Sequence, residues 1–158
     1  MSIEDIRRVD YQRSYNWRVI ITGEGEGMTF RASRITIPLT FLESEGWVKQ
    51  NTREYYPTLN DIGEITIEFK EDEKGTVRKF IFGWRKVMMN DDGTYNYPDE
   101  YKKTVMVEFL KRDGTVATKY ELHGCFPKNP ADMDLDYAAS EVLLMSCTFS
   151  VDYVVIEL

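Results

Sequence analysis

The sequence predicts a mainly β fold with one helix, and three observations carry that expectation. Apolar residues alternate with polar ones, the period of a half-buried strand, in runs that recur between Tyr15 and Tyr153. Asp113-Gly114 separates two of these runs and is a strong hairpin signal. One stretch, residues 76–89, switches to the helical period. At 158 residues the chain fits a single domain, residues 1–158, and 42% hydrophobic residues suffice for one core.

After an N-terminal arm at residues 1–12, the first run sets Tyr15, Trp17, Val19 and Ile21 on one face. Gly23-Glu24-Gly25-Glu26-Gly27 then predicts a turn, with Met28 to Ile37 as the returning strand and Pro38 closing it. Residues 39–61 fit neither period and predict a long irregular excursion. Ile65, Ile67 and Phe69 alternate with Glu64, Thr66, Glu68 and Lys70 as the next strand. Val77, Phe80, Ile81, Trp84, Val87 and Met88 make the apolar stripe of the helix. Glu71, Asp72 and Glu73 before it, and Arg85 and Lys86 near its end, suit the helix dipole. One helix can cover one face or one open end of a barrel.

Residues 90–103 again fit neither period. Val105, Val107 and Phe109 lead into the Asp113-Gly114 turn, and Val116, Thr118, Tyr120 and Leu122 return from it. The last run is expected to be the longest strand. Leu143, Met145, Cys147, Phe149, Val151 and Tyr153 form its core face, and Ser146, Thr148, Ser150 and Asp152 its polar face. Small polar side chains there predict a surface that meets water or a wet interface rather than a second apolar layer.

Charge narrows the partners. Twenty Lys and Arg against 27 Asp and Glu give a net charge of −7. Residues 1–60 hold eight of each sign, so residues 61–158 carry the whole excess. Specific nucleic-acid binding needs a basic surface that this balance does not supply. No apolar run approaches the roughly 20 residues that cross a bilayer, so membrane binding is not expected. Met1 to Arg8 lack the apolar core of a signal peptide, and synthesis is expected in the cytoplasm.

Catalytic constellations are poor. His123 is the one histidine, and nothing in its local sequence pairs it with a nucleophile. Cys125 and Cys147 are too far apart in sequence for a CxxC site and read as reduced, partly buried thiols. Glu24 and Glu26 would repel phosphate from the glycine run. Asp132, Asp134 and Asp136 suggest calcium, but the sixth and twelfth loop positions are Tyr137 and Leu143 rather than Gly and Glu. No enzyme activity, cofactor or metal is expected.

The second half carries a resemblance. Glu100-Tyr101-Lys102-Lys103 leads into a strand and hairpin. Gly124-Cys125-Phe126-Pro127, Asp134-Leu135-Asp136-Tyr137 and Ser150-Val151-Asp152-Tyr153 follow in order. With Arg78-Lys79-Phe80 and Trp84 in the helix, this set resembles the major tail tube protein of contractile-tailed bacteriophages over roughly residues 13–155.

The resemblance implies a β-barrel or β-sandwich subunit with one flanking helix, six copies closing a ring and rings stacking into a hollow tube. It implies a place in the virion, inside a contractile sheath, with DNA passing through unbound. The partners are further copies, sheath, baseplate and tape measure proteins. From its own residues, the irregular stretch 39–61, whose aromatics fit no core period, is expected to be an inter-subunit loop, mobile in the monomer and ordering against neighbouring copies through Phe41, Trp47, Tyr55 and Tyr56. Ser146, Thr148, Ser150 and Asp152 are solvated or lumen-facing. Two alternatives stay open: the inner tube subunit of a contractile injection system or R-type bacteriocin, and a monomeric ligand-binding β-barrel.

Overall fold

The alternating runs are strands, and their apolar faces meet in one core. The computed structural model describes residues 14–23, 32–38, 42–60, 62–132, 135–138 and 140–157. In chain order the elements are β1 (Trp17–Ile21), β2 (Ala32–Thr36), β3 (Leu42–Lys49), β4 (Thr52–Asn60), β5 (Glu64–Lys70) and α1 (Thr76–Met88). They continue with α2 (Pro98–Tyr101), β6 (Lys103–Leu110), β7 (Val116–Asp132), β8 (Leu144–Ser150) and β9 (Tyr153–Glu157). The main sheet runs β1-β6-β7-β8-β5-β2, with β9 added to β7, and every pairing is antiparallel.

β7 holds the architecture together. Its first part pairs β6 on one side and β9 on the other, and its second part pairs β8. Val19, Ile21, Val105, Val107 and Leu122 from one half of the sheet join Ile65, Ile67, Phe69, Met145, Cys147 and Phe149 from the other. α1 closes this core with Val77, Ile81 and Trp84, whose ring lies 5.6 Å from that of Phe149. Two carboxylates start the helix. Asp72 accepts the Thr76 N–H at 2.9 Å, and buried Glu71 accepts those of Val77 and Arg78 at 3.1 and 3.0 Å. These are the N–H groups that the first turn leaves without carbonyl partners.

Five expectations change. The stretch after β1 does not return beside it: β1 and β2 stand at opposite ends of the sheet, and residues 24–31 lie outside the described residues. Between these edges lies a groove of about 410 Å³ lined by Trp17, Ile35, Ile37, Phe109 and Tyr120 among others. Turn chemistry specifies a reversal, whereas pairing follows from which neighbour buries both apolar faces.

The supposed longest strand is two. The Val151 N–H bonds Gly63 O and the Asp152 N–H bonds His123 O, so the chain changes partner between β8 and β9. Tyr153 is accordingly 56% exposed rather than core, and the longest strand is β7 with 17 residues.

Residues 42–60 are regular, not irregular: β3 and β4 form a separate two-stranded hairpin. Its side chains from Ser44 to Thr58 are exposed on both faces, so no single face carries the apolar period that marks a half-buried strand. Residues 90–103 contain α2, a second helix of one turn, beside a Met89–Tyr95 bridge. Val87, expected in the helical stripe, is 46% exposed; the buried stripe is Val77, Ile81 and Trp84.

Candidate assembly interface

The hairpin is built as a protruding arm. Gln50, at φ 55°, and Asn51 make its turn, and among the described residues no other element packs substantially against it. Glu45 faces Tyr56, Trp47 faces Glu54, and Gly46 faces Tyr55. Directly opposed residues share a face, so Trp47 and Tyr56 lie on one side and Tyr55 and Val48 on the other. Trp47, Val48 and Tyr55 are 58–70% exposed, and the Tyr56 hydroxyl donates to Glu45 at 3.1 Å. A two-stranded ribbon is marginal in water by itself. Apolar residues on both faces make it a surface awaiting cover. Phe41 lies outside the described residues.

The expected polar face of the last run resolves into two places. Ser146, Thr148 and Ser150 are half-buried on the outer face of β8, opposite Glu68, Thr66 and Glu64 of β5. The Thr66 and Thr148 hydroxyl oxygens lie 3.4 Å apart. Asp152 is not on that face. It sits in the link to β9, where Lys102 donates to it at 2.6 Å.

Sequence reasoning missed a second polar surface. In the half-sheet β1-β6-β7-β9, Arg18, Glu108, Lys119 and Glu157 are opposed in one row across four strands, with alternating sign. Arg18 pairs with Glu108, and Lys119 reaches Glu121 at 3.0 Å and Glu157 at 3.4 Å. Hydrogen bonds to Glu121 and Glu157 raise the Lys119 pKa, and Lys119, then His123, holds the Glu121 carboxyl below its ordinary value. Each member alone looks like ordinary solvated charge. Only strand register aligns them.

His123 ends this surface, stacked on Tyr153 at 4.8 Å, its Nε2 3.1 Å from Glu121 and its Nδ1 3.4 Å from the Thr104 hydroxyl. Cys125 and Cys147 are both fully buried, and burial pushes the Cys125 thiol up to about 12. Among the described residues no group of three or more His, Cys, Asp or Glu could hold a metal ion. The chemistry on offer is association: strand edges, exposed aromatics and patterned charge.

Known proteins are similar to this chain over nearly its whole length. A family model described as phage tail tube protein matches residues 22–156. Tail tube protein gp19 of Enterobacteria phage T6 is 25% identical over 166 aligned residues, covering 97% of this chain and 99% of that one. The fold is similar to a chain in the extended sheath-tube complex of an extracellular contractile injection system, PVC, with a TM-score of 0.74 at 13% identity. That alignment covers 99% of this chain and 98% of the other. A chain of the anti-feeding prophage baseplate, 6-fold symmetrised, aligns with a TM-score of 0.66 at 12% identity over 94% of this chain and 97% of its own.

Proposed function

This chain belongs to the phage tail tube protein family, and we propose that it is the structural subunit of a hollow tube of stacked hexameric rings, through which DNA leaves the virion inside a contractile sheath. The observation that carries this reading is the free surface of the subunit. β1, β2 and β9 each pair on one side only among the described residues, and the β3–β4 arm stands clear of the core with apolar residues on both faces. Sheet edges left open are removed by pairing with further copies, and a head-to-tail contact closes a ring when its rotation allows.

The partners follow from that placement: further copies first, then sheath, baseplate and tape measure proteins. The net charge of −7 suits a conduit, since an acidic wall does not hold phosphates by counterion release. Ser146, Thr148 and Ser150 supply small hydroxyls to a solvated wall, and burying them unpaired would cost about 1–3 kcal/mol each. The arm orders against neighbouring subunits, with Trp47, Tyr55 and Tyr56 as anchors and Phe41 as a further candidate. Synthesis in the host cytoplasm precedes incorporation into the virion. The subunit catalyses nothing: turnover that vanishes in His123→Ala would overturn this.

A second reading, the inner tube of a contractile injection system, is supported by the likeness to the PVC chain. Negative-stain microscopy of concentrated protein tests both. Sixfold rings or tubes are expected; a persistent monomer at high concentration would sink the tube reading.

A further inference from the structure

We propose that neighbouring copies join by pairing β9 of one with β1 of the next, in a register locked by Glu157 facing Arg18. This inference rests on the ring-forming reading and specifies its junction. The charged row runs Arg18, Glu108, Lys119, Glu157 and therefore ends positive on β1 and negative on β9. A second copy placed edge to edge continues the alternation, because its Arg18 meets the first copy's Glu157. Opposite charges directly across an antiparallel pair are favourable, and like charges are not. Both end residues stand open to a neighbour, with 45% of the Arg18 side chain and 59% of the Glu157 side chain exposed.

Strand direction allows the joint. Four antiparallel strands, an even number, leave β9 running opposite to β1, so the next copy's β1 pairs antiparallel. The available backbone groups also match. Thr22 donates to Thr104 and Leu110 to Asn16, so the even residues of β1 bond β6 and its odd residues face the free edge. Carrying this alternation through β6 and β7 turns Tyr153, Val155 and Glu157 toward β7 and leaves Val154 and Ile156 facing outward.

With Glu157 opposite Arg18, Ile156 exchanges hydrogen bonds with Val19 and Val154 with Ile21, each outward residue meeting an outward residue. The side chains agree as well. Ile156, 40% exposed, lands beside buried Val19, and Val155, also 40% exposed, lands opposite Ile20. A slip of one residue mismatches the backbone groups and reverses the faces. A slip of two sets Val155 opposite Arg18, or Glu157 opposite Ile20, and loses the ion pair. β2 is the poorer edge, since its pairing shifts register between Ala32 and Arg34, whereas the pairings of β1 and β9 run without interruption.

Cysteine crosslinking reads this register directly. Ile20 and Val155 lie in one row, separated within a chain by three strand spacings of about 4.8 Å each, too far for an intramolecular bridge. In Ile20→Cys/Val155→Cys, assembled rings under mild oxidation should give a ladder of covalent oligomers up to the ring's full copy number. The slipped pairs, Ile20→Cys/Tyr153→Cys and Thr22→Cys/Val155→Cys, should give little. Intact rings without the ladder, or an equal ladder from a slipped pair, would overturn the junction while leaving the tube reading standing; wild-type protein that never forms rings would overturn both. Glu157→Lys, at an exposed edge position, should keep the monomer's circular dichroism and raise the concentration needed for rings by at least about fivefold. Unchanged assembly of that folded variant would likewise overturn the proposal.

Discussion

A single residue fixes the place where the last apolar run departs from simple alternation. Gly124 has φ 69°, and a Cβ built there would lie 2.1 Å from the Asp152 carboxylate, which closes the link between β8 and β9. The left-handed backbone alone costs a side chain about 1–2 kcal/mol. Gly124→Ala should therefore lower unfolding free energy by about 2 kcal/mol or more in a urea titration; a neutral result would mean that the link moves freely. Glu121 is the acid-sensitive member of the charged surface. Its carboxyl is held below the ordinary 4.5 by Lys119 and then His123. A depressed carboxyl stabilises the fold above its unfolded value and loses that contribution as pH falls through the folded one. Glu121→Gln should flatten the fall of Tm below about pH 4.5. Superimposable profiles for variant and parent would refute the linkage.

At the scale of elements, α1 and the hairpin are opposite cases. The helix was legible: Val77, Ile81 and Trp84 are its buried stripe, and the acids before it are its caps. Glu71→Ala removes an acceptor that serves both Val77 and Arg78, and should cost about 2 kcal/mol with the helix still formed. The hairpin was illegible because its pattern has no inside. Trp47 and Tyr55 sit on opposite faces of a ribbon that touches almost nothing among the described residues, so neither period nor burial betrays a strand. A ribbon with so few contacts opens readily. Limited proteolysis should cut within residues 42–60 in the monomer and spare them in the tube, and equal resistance in both would remove the arm from the interface. Trp47→Ser should leave monomer Tm within about 1 °C, since no core packing is lost, while impairing assembly.

For the whole molecule, charge sets the terms of association. Copies of net charge −7 repel one another beyond contact distance, and the screening length shrinks from about 10 Å at 0.1 M salt to about 3 Å at 1 M. Light scattering should therefore find assembly at lower protein concentration as salt rises from dilute buffer. A monotonic rise in the required concentration would instead make ion pairs across the junction dominant over net repulsion.

The sequence alone determined which residues of the central strands are inside. Ile65, Ile67, Phe69, Val105, Val107, Met145, Cys147 and Phe149 alternate in the chain and are all buried, because a strand has only two faces and one must leave water. It also determined the hairpin at Asp113-Gly114, where Thr115 N–H and hydroxyl both donate to the Asp113 carboxylate, a contact made within three residues. Only the tertiary structure decided which strands are neighbours. Periodicity reports a face and a turn reports a reversal, but neither identifies the partner across a hydrogen-bond ladder. Hence β1 lies beside β6, β7 serves two halves of the sheet, and Arg18, Glu108, Lys119 and Glu157, scattered over most of the chain, align in one row. Pairing is a long-range agreement between two backbones and two sets of side chains, and no local stretch of sequence contains both.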